Sequence, residues 1–227
     1  MSDVQISHDK PVATQVTAAL RDAIRFGSFT PGLRLSEQEI ADMLQLSRQP
    51  VREAFIRLSG EGLLEAWPQR GTFVSKISTQ EVIASRFVRE AVEADIVRLA
   101  ARNSTTALRE QLEDLLRQQE ETEGMDASRF MGLDDALHRT LAEAAGRAKI
   151  WLYLQKLKSQ MDRVRYLVAA ELPLQALISQ HRTIVEAVVA HDEDRAEAAI
   201  RLHLKQILND LPQIISAYPD YFNNEPE

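Results

Sequence analysis

The 227-residue sequence contains no cysteine. This absence excludes a disulfide framework, a thiolate nucleophile and a cysteine-ligated zinc site. No apolar run approaches the ~18–20 residues that a membrane span needs, and the first residues lack the basic and apolar regions of a signal peptide. We therefore expect a cytoplasmic protein without a membrane partner. Hydrophobic residues make up 44% of the chain and charged residues 27%, which leaves enough apolar side chains for a buried core.

The net charge of −7 is unevenly distributed along the chain, and so is glycine. Residues 1–78 carry nine basic and nine acidic side chains, whereas the remainder carries 18 of the 27 basic and 25 of the 34 acidic ones. Five of the eight glycines also precede residue 78. The acidic balance argues against indiscriminate coating of nucleic acid. The uneven distribution of charge and glycine predicts a mainly α chain in which a domain with turns and strands precedes a domain of long helices.

The first domain, residues 1–77, has the pattern of a winged helix-turn-helix. Ser36 and Glu39 form a capping box at the start of one short helix, and Ser47 caps the next. The predicted elements are helices over 12–26, 37–44 and 48–59 and strands over 33–35, 63–67 and 72–75. Two short helices joined by a tight turn are typical of a helix-turn-helix, and the hairpin that follows is its wing.

The exposed cations of this domain indicate contact with DNA. Arg48 and Arg52 lie near the start of the second short helix, whose N-terminus offers free N–H groups to phosphate. Both can reach guanine edges or phosphates, and Arg70 at the tip of the hairpin suits the minor groove. The same residues are also compatible with an ordinary solvated helix face and hairpin turn.

Three stretches of the first domain resemble the GntR family of bacterial repressors. They are Pro31-Gly32-x-x-Leu35-x-Glu37, then Leu46-Ser47-Arg48-Gln49-Pro50-Val51-Arg52-Glu53-Ala54, then Glu61-Gly62-Leu63-Leu64 with Arg70-Gly71. The resemblance implies DNA-contacting positions for the following residues: Ser47, Arg48, Gln49, Arg52, Arg70 and Gly71. Gln38 stands where several relatives have an arginine that reads the operator, so this contact is expected to be weaker or differently directed here.

From residue 78 onwards the apolar residues keep a helical period almost without interruption. The predicted helices span 79–102, 105–123, 126–145, 148–170, 173–190 and 193–210. One of the breaks between them falls at Glu123-Gly124. No strand-like alternation is present, and short loops favour antiparallel neighbours. Residues 78–227 are therefore predicted to form an all-α antiparallel bundle.

Three of the five histidines in the chain, with one aspartate, form a candidate metal site. Asp134 and His138 are four residues apart and share one helix face. His181 and His203 lie eleven residues before and after a turn near residue 192, so an antiparallel hairpin brings them to the same height. Carboxylate and imidazole suit Zn²⁺, Ni²⁺ or Mn²⁺, and four protein ligands would leave open positions on an octahedral ion. Taken singly, each histidine is equally compatible with a satisfied core or surface role.

The surrounding residues resemble the FCD ligand-binding domain that accompanies GntR-type winged helices in the FadR subfamily. The matching stretches are Asp134-x-x-x-His138-x-x-Leu141-Ala142-x-Ala144-Ala145-Gly146, His181-Arg182-x-Ile184-x-x-Ala187 and Ala198-x-x-x-x-His203-Leu204. The resemblance implies metal coordination by one aspartate and three histidines at these places, with zinc as the expected ion. Six helices rather than seven indicate the VanR-like form of the domain.

Such domains receive a carboxylate effector at the open metal positions and a nearby arginine. Arg89 matches the arginine that relatives carry on the first helix, and a guanidinium can take a carboxylate bidentately. A surface salt bridge between Arg89 and Glu93 is the alternative. Arg163 and Arg165 are weaker candidates for effector binding, because only one of them can face inward.

These features together predict a homodimeric transcriptional repressor. Its paired winged helices would bind a pseudo-palindromic operator, and a sugar acid, hydroxy acid or dicarboxylate at the metal would modulate the affinity. A metallohydrolase with the same ligands is the second hypothesis. It lacks an evident general base, because Asp135 is expected to point away from the face of Asp134. A purely structural metal is the third hypothesis, and the packing of the tail after Leu211 stays open.

Overall fold

The computed structural model describes residue 7 and residues 9–122 and 127–223. They divide into two compact units. The first unit runs to Glu81 and also includes the chain from Ile215 onwards, and the second unit is Val82–Ile214. The predicted break at Glu123-Gly124 lies outside the described residues. Among the helices that are described, none is long and apolar enough to cross a membrane.

The N-terminal unit is a winged helix built from three helices and a three-stranded sheet. Its elements are α1 (Val12–Arg25), β1 (Arg34–Leu35), α2 (Glu37–Leu44), α3 (Arg48–Gly60), β2 (Leu64–Trp67) and β3 (Gly71–Val74). β3 lies between β1 and β2 and is antiparallel to both. Val51, Ala54, Phe55 and Leu58 bury one face of α3 in the core of this unit. The fold class predicted for this part of the chain is confirmed.

The local sequence explains where α2 begins and ends and why the hairpin contains a glycine. The Ser36 hydroxyl accepts a hydrogen bond from the Glu39 N–H and so caps α2, as the capping-box pattern predicted. Gln45 ends the same helix in the left-handed conformation. At the tip of the wing, Gly71 has a φ of +112°, and a Cβ there would lie 2.9 Å from the Nε atom of Arg34. The positive φ favours glycine at this position, whereas the flexible Arg34 side chain could move away from a Cβ.

The second unit is an all-α bundle, as predicted. The helices beyond the wing are α4 (Thr79–Arg102), α5 (Thr106–Glu120), α6 (Ala127–Ala144), α7 (Ala148–Leu157), α8 (Ser159–Glu171), α9 (Gln175–Val189) and α10 (Glu193–Ala217). A short 3₁₀ helix follows at Pro219–Tyr221. Apolar side chains from α4, α5, α6, α7, α9 and α10 meet in one continuous core.

The prediction of one helix over 148–170 is wrong, because the chain turns at Lys158 and forms two helices. The Lys158 ammonium is buried and donates hydrogen bonds to Asp135 at 2.8 Å and to Asp162 at 2.6 Å. These ion pairs satisfy the buried charge, and the backbone of Lys158 (φ −85°, ψ 7°) leaves the helical conformation at this residue. The described part of the bundle thus has seven helices, and the count of six that favoured a VanR-like form is not found.

The end of the chain returns to the N-terminal unit. α10 extends to Ala217, past the predicted end at residue 210, and Pro212 lies inside it. Beyond it, the Ile77 N–H donates to the Tyr221 carbonyl at 2.8 Å, and the Asn223 N–H donates to the Ile77 carbonyl at 3.0 Å. Ile77 and Phe222 are both buried. The tail therefore packs against the short segment that leaves the wing.

Candidate metal centre and nucleic-acid interface

Three helices bring the four predicted metal ligands together. Asp134 and His138 lie one turn apart on α6, His181 lies on α9, and His203 lies on α10. All four side chains are buried, and one donor atom from each lies within 4.8 Å of the others. The equal offsets of His181 and His203 from the turn at residue 192 thus place them side by side, as the antiparallel pattern predicted.

The distances between the donor atoms fit a first-row metal ion. The His181 Nε2 atom lies 3.3 Å from Asp134 Oδ1 and 3.4 Å from His203 Nε2. Ligands at about 2.0–2.1 Å from a tetrahedral zinc ion are about 3.3 Å apart. His138 Nε2 lies 3.9 Å from Asp134 Oδ2, so a small inward shift would complete the set.

The other ring nitrogen of each histidine faces an oxygen atom. His181 Nδ1 lies 2.7 Å from Gln119 Oε1, and His203 Nδ1 lies 3.0 Å from Gln180 Oε1. His138 Nδ1 lies 2.5 Å from a Glu93 carboxylate oxygen. An acceptor at Nδ1 favours a proton there, which leaves the Nε2 lone pair for a metal. The sequence pattern gave no sign of these partners, because Gln119 and Glu93 lie on other helices.

The buried His138 ring makes no hydrogen bond at either nitrogen within the described structure, although Nδ1 lies 2.5 Å from a Glu93 oxygen. His138 Nε2 makes no hydrogen bond to any residue that the structure describes, although its side chain is buried. Burying a polar atom without a partner is costly. A divalent ion bound by Asp134 and the three imidazoles would supply the missing partner, so the residues fit the metal that the sequence predicts.

The electrostatics of the cluster also suit a metal. Burial lowers the pKa of His181, and it holds the pKa of His203 well below its usual range with the neighbouring imidazoles adding to the effect. Both rings are therefore neutral at pH 7, as coordination requires. Burial alone would raise the pKa of Asp134, but the Arg165 guanidinium and the contact with His181 outweigh it and keep that pKa well below its usual range.

The three arginines predicted to bind an effector occupy different places. Arg165 forms ion pairs with Asp134 and, at 2.9 Å, with Asp162. It lines a cavity beside the metal ligands, and so does Arg89. Arg163 is also buried, but it bonds Gln160 at 3.1 Å and is not among the residues that line this cavity. The expectation that only one of the two neighbouring arginines faces inward is not met, because Arg163 is 3% exposed and the Arg165 side chain 13%; of the two, Arg165 lines this cavity.

Arg89 forms the ion pair with Glu93 that the alternative interpretation predicted, but the pair is not on the surface. The Arg89 Nε atom lies 2.5 Å from Glu93, and both side chains are almost completely buried. Glu93 in turn faces His138. Burial raises the pKa of Glu93, but Arg89 and His138 outweigh it, so the net shift is downward and Glu93 is ionised. Arg89 is therefore linked to a metal ligand through Glu93.

The cavity beside the cluster measures about 40 Å³. This space holds about three water molecules. Its walls are mainly apolar, with Phe130, Met131 and Leu177 among them. Its polar lining consists of the following residues: Arg89, Asp134, Arg165, His203, Gln206 and Asp210. Gln206 Nε2 donates to Asp210 Oδ1 at 2.8 Å, and burial raises the pKa of Asp210.

In the N-terminal unit the predicted DNA-contacting residues are exposed on α3. Arg48, Gln49 and Arg52 all lie on its outer face, and Ser47 immediately precedes the helix. Arg48 contacts Glu37 at 3.2 Å, whereas Arg52 makes no ion pair or hydrogen bond with the residues that the structure describes. The head of Arg52 is thus free within the described structure, and the Arg48 side chain is 65% exposed although it pairs with Glu37.

Two further predicted contacts lie near α3 and on the wing. Gln38 is exposed on α2 and donates to Asp42 at 2.7 Å, so its amide is engaged within its own helix. The Arg70 guanidinium lies over the Trp67 ring, 4.7 Å from its centroid, just before Gly71. Stacking on Trp67 orders the arginine at the wing tip.

Comparison with known families assigns both units. Residues 12–74 match the family described as "Bacterial regulatory proteins, gntR family", and residues 85–206 match the "FCD domain". The HTH-type transcriptional repressor RspR of Escherichia coli (strain K12) is 37% identical over 225 residues, which cover 98% of this chain and 99% of the relative. The chain belongs to the gntR family.

Other relatives of this gntR-family regulator carry similar names. A probable D-xylose utilization operon transcriptional repressor of Paenarthrobacter nicotinovorans is 31% identical over 197 residues, covering 87% of each chain. Among solved structures, E. coli McbR/YncC shares the fold with a TM-score of 0.77 at 19% identity, covering 92% of this chain and 99% of that one. A GntR regulator from Rhodococcus sp. RHA1 reaches a TM-score of 0.69 at 24% identity, covering 91% and 98%.

The family membership establishes the general function. The protein is a DNA-binding transcriptional regulator with an FCD domain, and it is not an enzyme. Repressors are named among its relatives. Within the FCD domain, the buried aspartate and histidine cluster could hold a metal ion.

The glutamine carboxamides that face the Nδ1 atoms of His181 and His203 provide a test of the metal centre. Replacing Gln119 by leucine removes the acceptor of His181 Nδ1, so zinc affinity should fall by about 10–100-fold. The matched control is Gln118→Leu, because Gln118 bonds Asp114 and not a histidine. Competition against a chromogenic zinc chelator measures both variants. Equal zinc affinities for the two variants would mean that Gln119 does not support the site.

Proposed function

We propose that this regulator is a repressor whose operator affinity is changed by a small carboxylate bound at a metal ion in the FCD domain. The observation that carries the proposal is the convergence of three buried imidazoles and Asp134, with His138 Nε2 lacking a partner among the described residues. We assign the metal as Zn²⁺, with Ni²⁺ and Mn²⁺ as the alternatives.

The protein side chains around the metal would bind the effector carboxylate. The ion supplies a Lewis-acidic position that a carboxylate oxygen can fill. Arg89 and Arg165 reach the same cavity, and a guanidinium offers two parallel N–H donors to a carboxylate. Arg163 lies outside the cavity lining, so we place the effector role on the other two arginines.

Operator binding would use α3 and the wing. The exposed face of α3 can enter a major groove with Ser47, Arg48, Gln49 and Arg52. There, arginine reads guanine edges, and serine or glutamine positions the helix. Arg70 and Gly71 form the wing tip, and Arg70 is positioned over Trp67 for the minor groove. Gln38 contributes less in this arrangement, because its amide is bonded to Asp42.

A homodimer would place two such units on a pseudo-palindromic operator. An apolar surface of the bundle supports a contact with a second copy. Ile83 and Phe87 on α4 and Leu202 on α10 are exposed, with Phe87 at 65%. Arg201 and Lys205 of α10 each lie 3.4 Å from Glu90, so α10 runs beside this part of α4. Exposed apolar residues on adjacent helices are typical of an interface.

Replacing Phe87 by aspartate is expected to dissociate the dimer. A charge in an apolar interface is unpaired and desolvated, so the dimer dissociation constant should rise at least about tenfold. Sedimentation velocity over a concentration series measures it. Tyr153→Asp is the control, because Tyr153 is as exposed as Phe87 but lies on α7. A wild-type monomer, or a Phe87→Asp dimer of undiminished affinity, would contradict the assignment.

The effector proposal is tested by operator binding. Fluorescence anisotropy of the zinc-loaded protein on DNA upstream of its own gene is measured with and without a series of small carboxylic acids. We expect one class of acids to change operator affinity by about 5–150-fold, and the response should disappear after chelation. If chelation lowers the melting temperature but no acid alters operator affinity, the metal is structural and the proposal is wrong.

A further inference from the structure

The outward face of the wing sheet carries an arginine, Arg34, that is outside the predicted DNA-contacting set. Residues that oppose one another in antiparallel strands project from the same face of a sheet. The register places the following residues on one face: Arg34, Glu65, Trp67, Gly71 and Phe73. Leu35, Leu64 and Val74 alternate with them and are buried in the core of the N-terminal unit. The face that contains Arg34 is therefore the outer one.

The side chain of Arg34 extends toward the tip of the wing. Its backbone lies opposite Phe73, which is two residues from Gly71. A Cβ on Gly71 would lie 2.9 Å from Arg34 Nε and 3.6 Å from Arg34 Nη2, so the guanidinium lies directly against the glycine. It can approach this closely because glycine has no side chain. The charged head of Arg34 is thus at the wing tip, although its backbone belongs to β1.

The charge of Arg34 is not neutralised within the described part of the chain. The side chain is exposed and forms no ion pair or hydrogen bond with the residues that the structure describes. Glu65 is the acidic residue on the same face, and its carboxylate accepts a hydrogen bond from Trp67 Nε1 at 3.0 Å. Arg34 therefore differs from Arg48, which pairs with Glu37, and its N–H donors are open to an anion.

Arg34 and Arg70 lie on the two sides of Gly71. Trp67 is the neighbour of Gly71 on β2, and the Arg70 guanidinium lies over the Trp67 ring. Arg34 approaches Gly71 from β1, on the other side of β3. The wing tip thus carries two cations with a glycine between them. A minor groove is about 6 Å wide and is bordered by two rows of phosphates, so a wing that inserts one arginine brings a neighbouring cation to a phosphate.

We propose that Arg34 is a further operator-binding residue, whose guanidinium binds a backbone phosphate at the edge of the minor groove that receives Arg70. The inference rests on the proposed function of the wing, because it adds a contact to the same surface. A phosphate contact fixes the position of the wing on the duplex but carries no sequence information. Arg34 should therefore contribute equally to binding of operator and of unrelated DNA.

Replacing Arg34 by glutamine is expected to make DNA binding less dependent on salt. Each phosphate contact contributes about 0.9 to the slope of log affinity against log salt concentration. A dimer has two copies of Arg34, so the slope should become shallower by about 1.8, and affinity at about 0.1 M salt should fall at least about tenfold. Fluorescence anisotropy of the full chain measures both quantities on DNA upstream of its own gene and on an unrelated duplex of equal length.

Two further variants separate a phosphate contact from a general loss of charge. Arg34→Lys keeps the cation and should retain most of the slope, because lysine binds phosphate as a point charge. Lys76→Gln removes the same charge from an exposed position beyond the end of β3 that is opposite Gly71, and it should leave the slope unchanged. Thermal unfolding of Arg34→Gln should match that of the wild type, because the exposed side chain makes no hydrogen bond within the described structure.

The outcomes separate the inference from the proposed role of the wing. A wild-type slope for Arg34→Gln, an equal change of slope for Lys76→Gln, or a loss of affinity confined to the operator would overturn the inference. If Arg70→Gln weakens operator binding and Arg34→Gln does not, the inference alone fails. If neither variant changes operator affinity, the wing does not bind DNA, and its proposed role fails as well.

Discussion

Replacing Arg48 and Arg52 together by alanine is expected to lower operator affinity at least about 100-fold. Each arginine that contacts a base contributes about 1–3 kcal/mol, and a dimer loses both contacts in each half-site. Arg52 has no partner among the described residues, and the side chain of Arg48 is 65% exposed. Their removal should therefore cost DNA contacts rather than folding stability. Anisotropy titration of the wild type and the variant measures the loss.

The control for this experiment lies in the bundle. Arg109 and Arg117 are exposed on α5, so replacing both by alanine removes the same net charge without touching α3. Their loss should change operator affinity far less. The slope of affinity against salt concentration should also become shallower in the α3 variant, because fewer phosphates are neutralised. Full operator affinity after loss of Arg48 and Arg52 would overturn the assignment of α3 as the reading helix.

The second large effect is expected from His138→Gln. Its Nε2 atom has no hydrogen-bond partner in the described structure, so the metal-free protein gains nothing from that atom. The zinc-loaded protein loses a ligand, and zinc affinity should fall at least about 100-fold. At saturating zinc this loss corresponds to about 2.7 kcal/mol in the free energy of unfolding. Denaturant unfolding with and without chelator, on wild type and variant, measures both quantities.

The two metal states make this test selective. The variant should lose some stability in chelator, because the contact of Nδ1 with Glu93 is lost, and clearly more in zinc. His191→Gln is the control, because His191 is exposed in the loop between α9 and α10. A variant that retains wild-type zinc affinity, or that is destabilised equally with and without zinc, would mean that His138 serves packing and does not bind metal.

Much of the site could be predicted because helices impose fixed spacings. Asp134 and His138 share a face because four residues make about one turn. His181 and His203 meet because two antiparallel helices pair residues at equal distances from the turn. In the N-terminal unit, Ser36 and Glu39 mark the start of α2. Each of these inferences uses residues within one helix or one hairpin, where sequence distance determines spatial distance.

The remaining features depend on contacts between distant parts of the chain. Gln119 precedes its partner His181 by 62 residues, so no local pattern connects them. The sequence does not predict the helix break at Lys158, because the apolar period continues through it. The buried Lys158 ammonium pairs with Asp135 on α6, a contact that lies 23 residues away in the sequence. Glu93 was interpreted as a surface partner of Arg89, because a spacing of four residues does not reveal which face of α4 is buried.

The pairing of the chain end with Ile77 has a practical use. Asn223 is hydrogen-bonded to the segment that leaves the wing, so a reporter group placed there would follow the DNA-reading unit rather than the bundle. Because the chain has no cysteine, an Asn223→Cys variant would contain a single thiol. A fluorophore on that thiol would need no background mutations, and a fusion partner beyond it would be attached next to the winged helix.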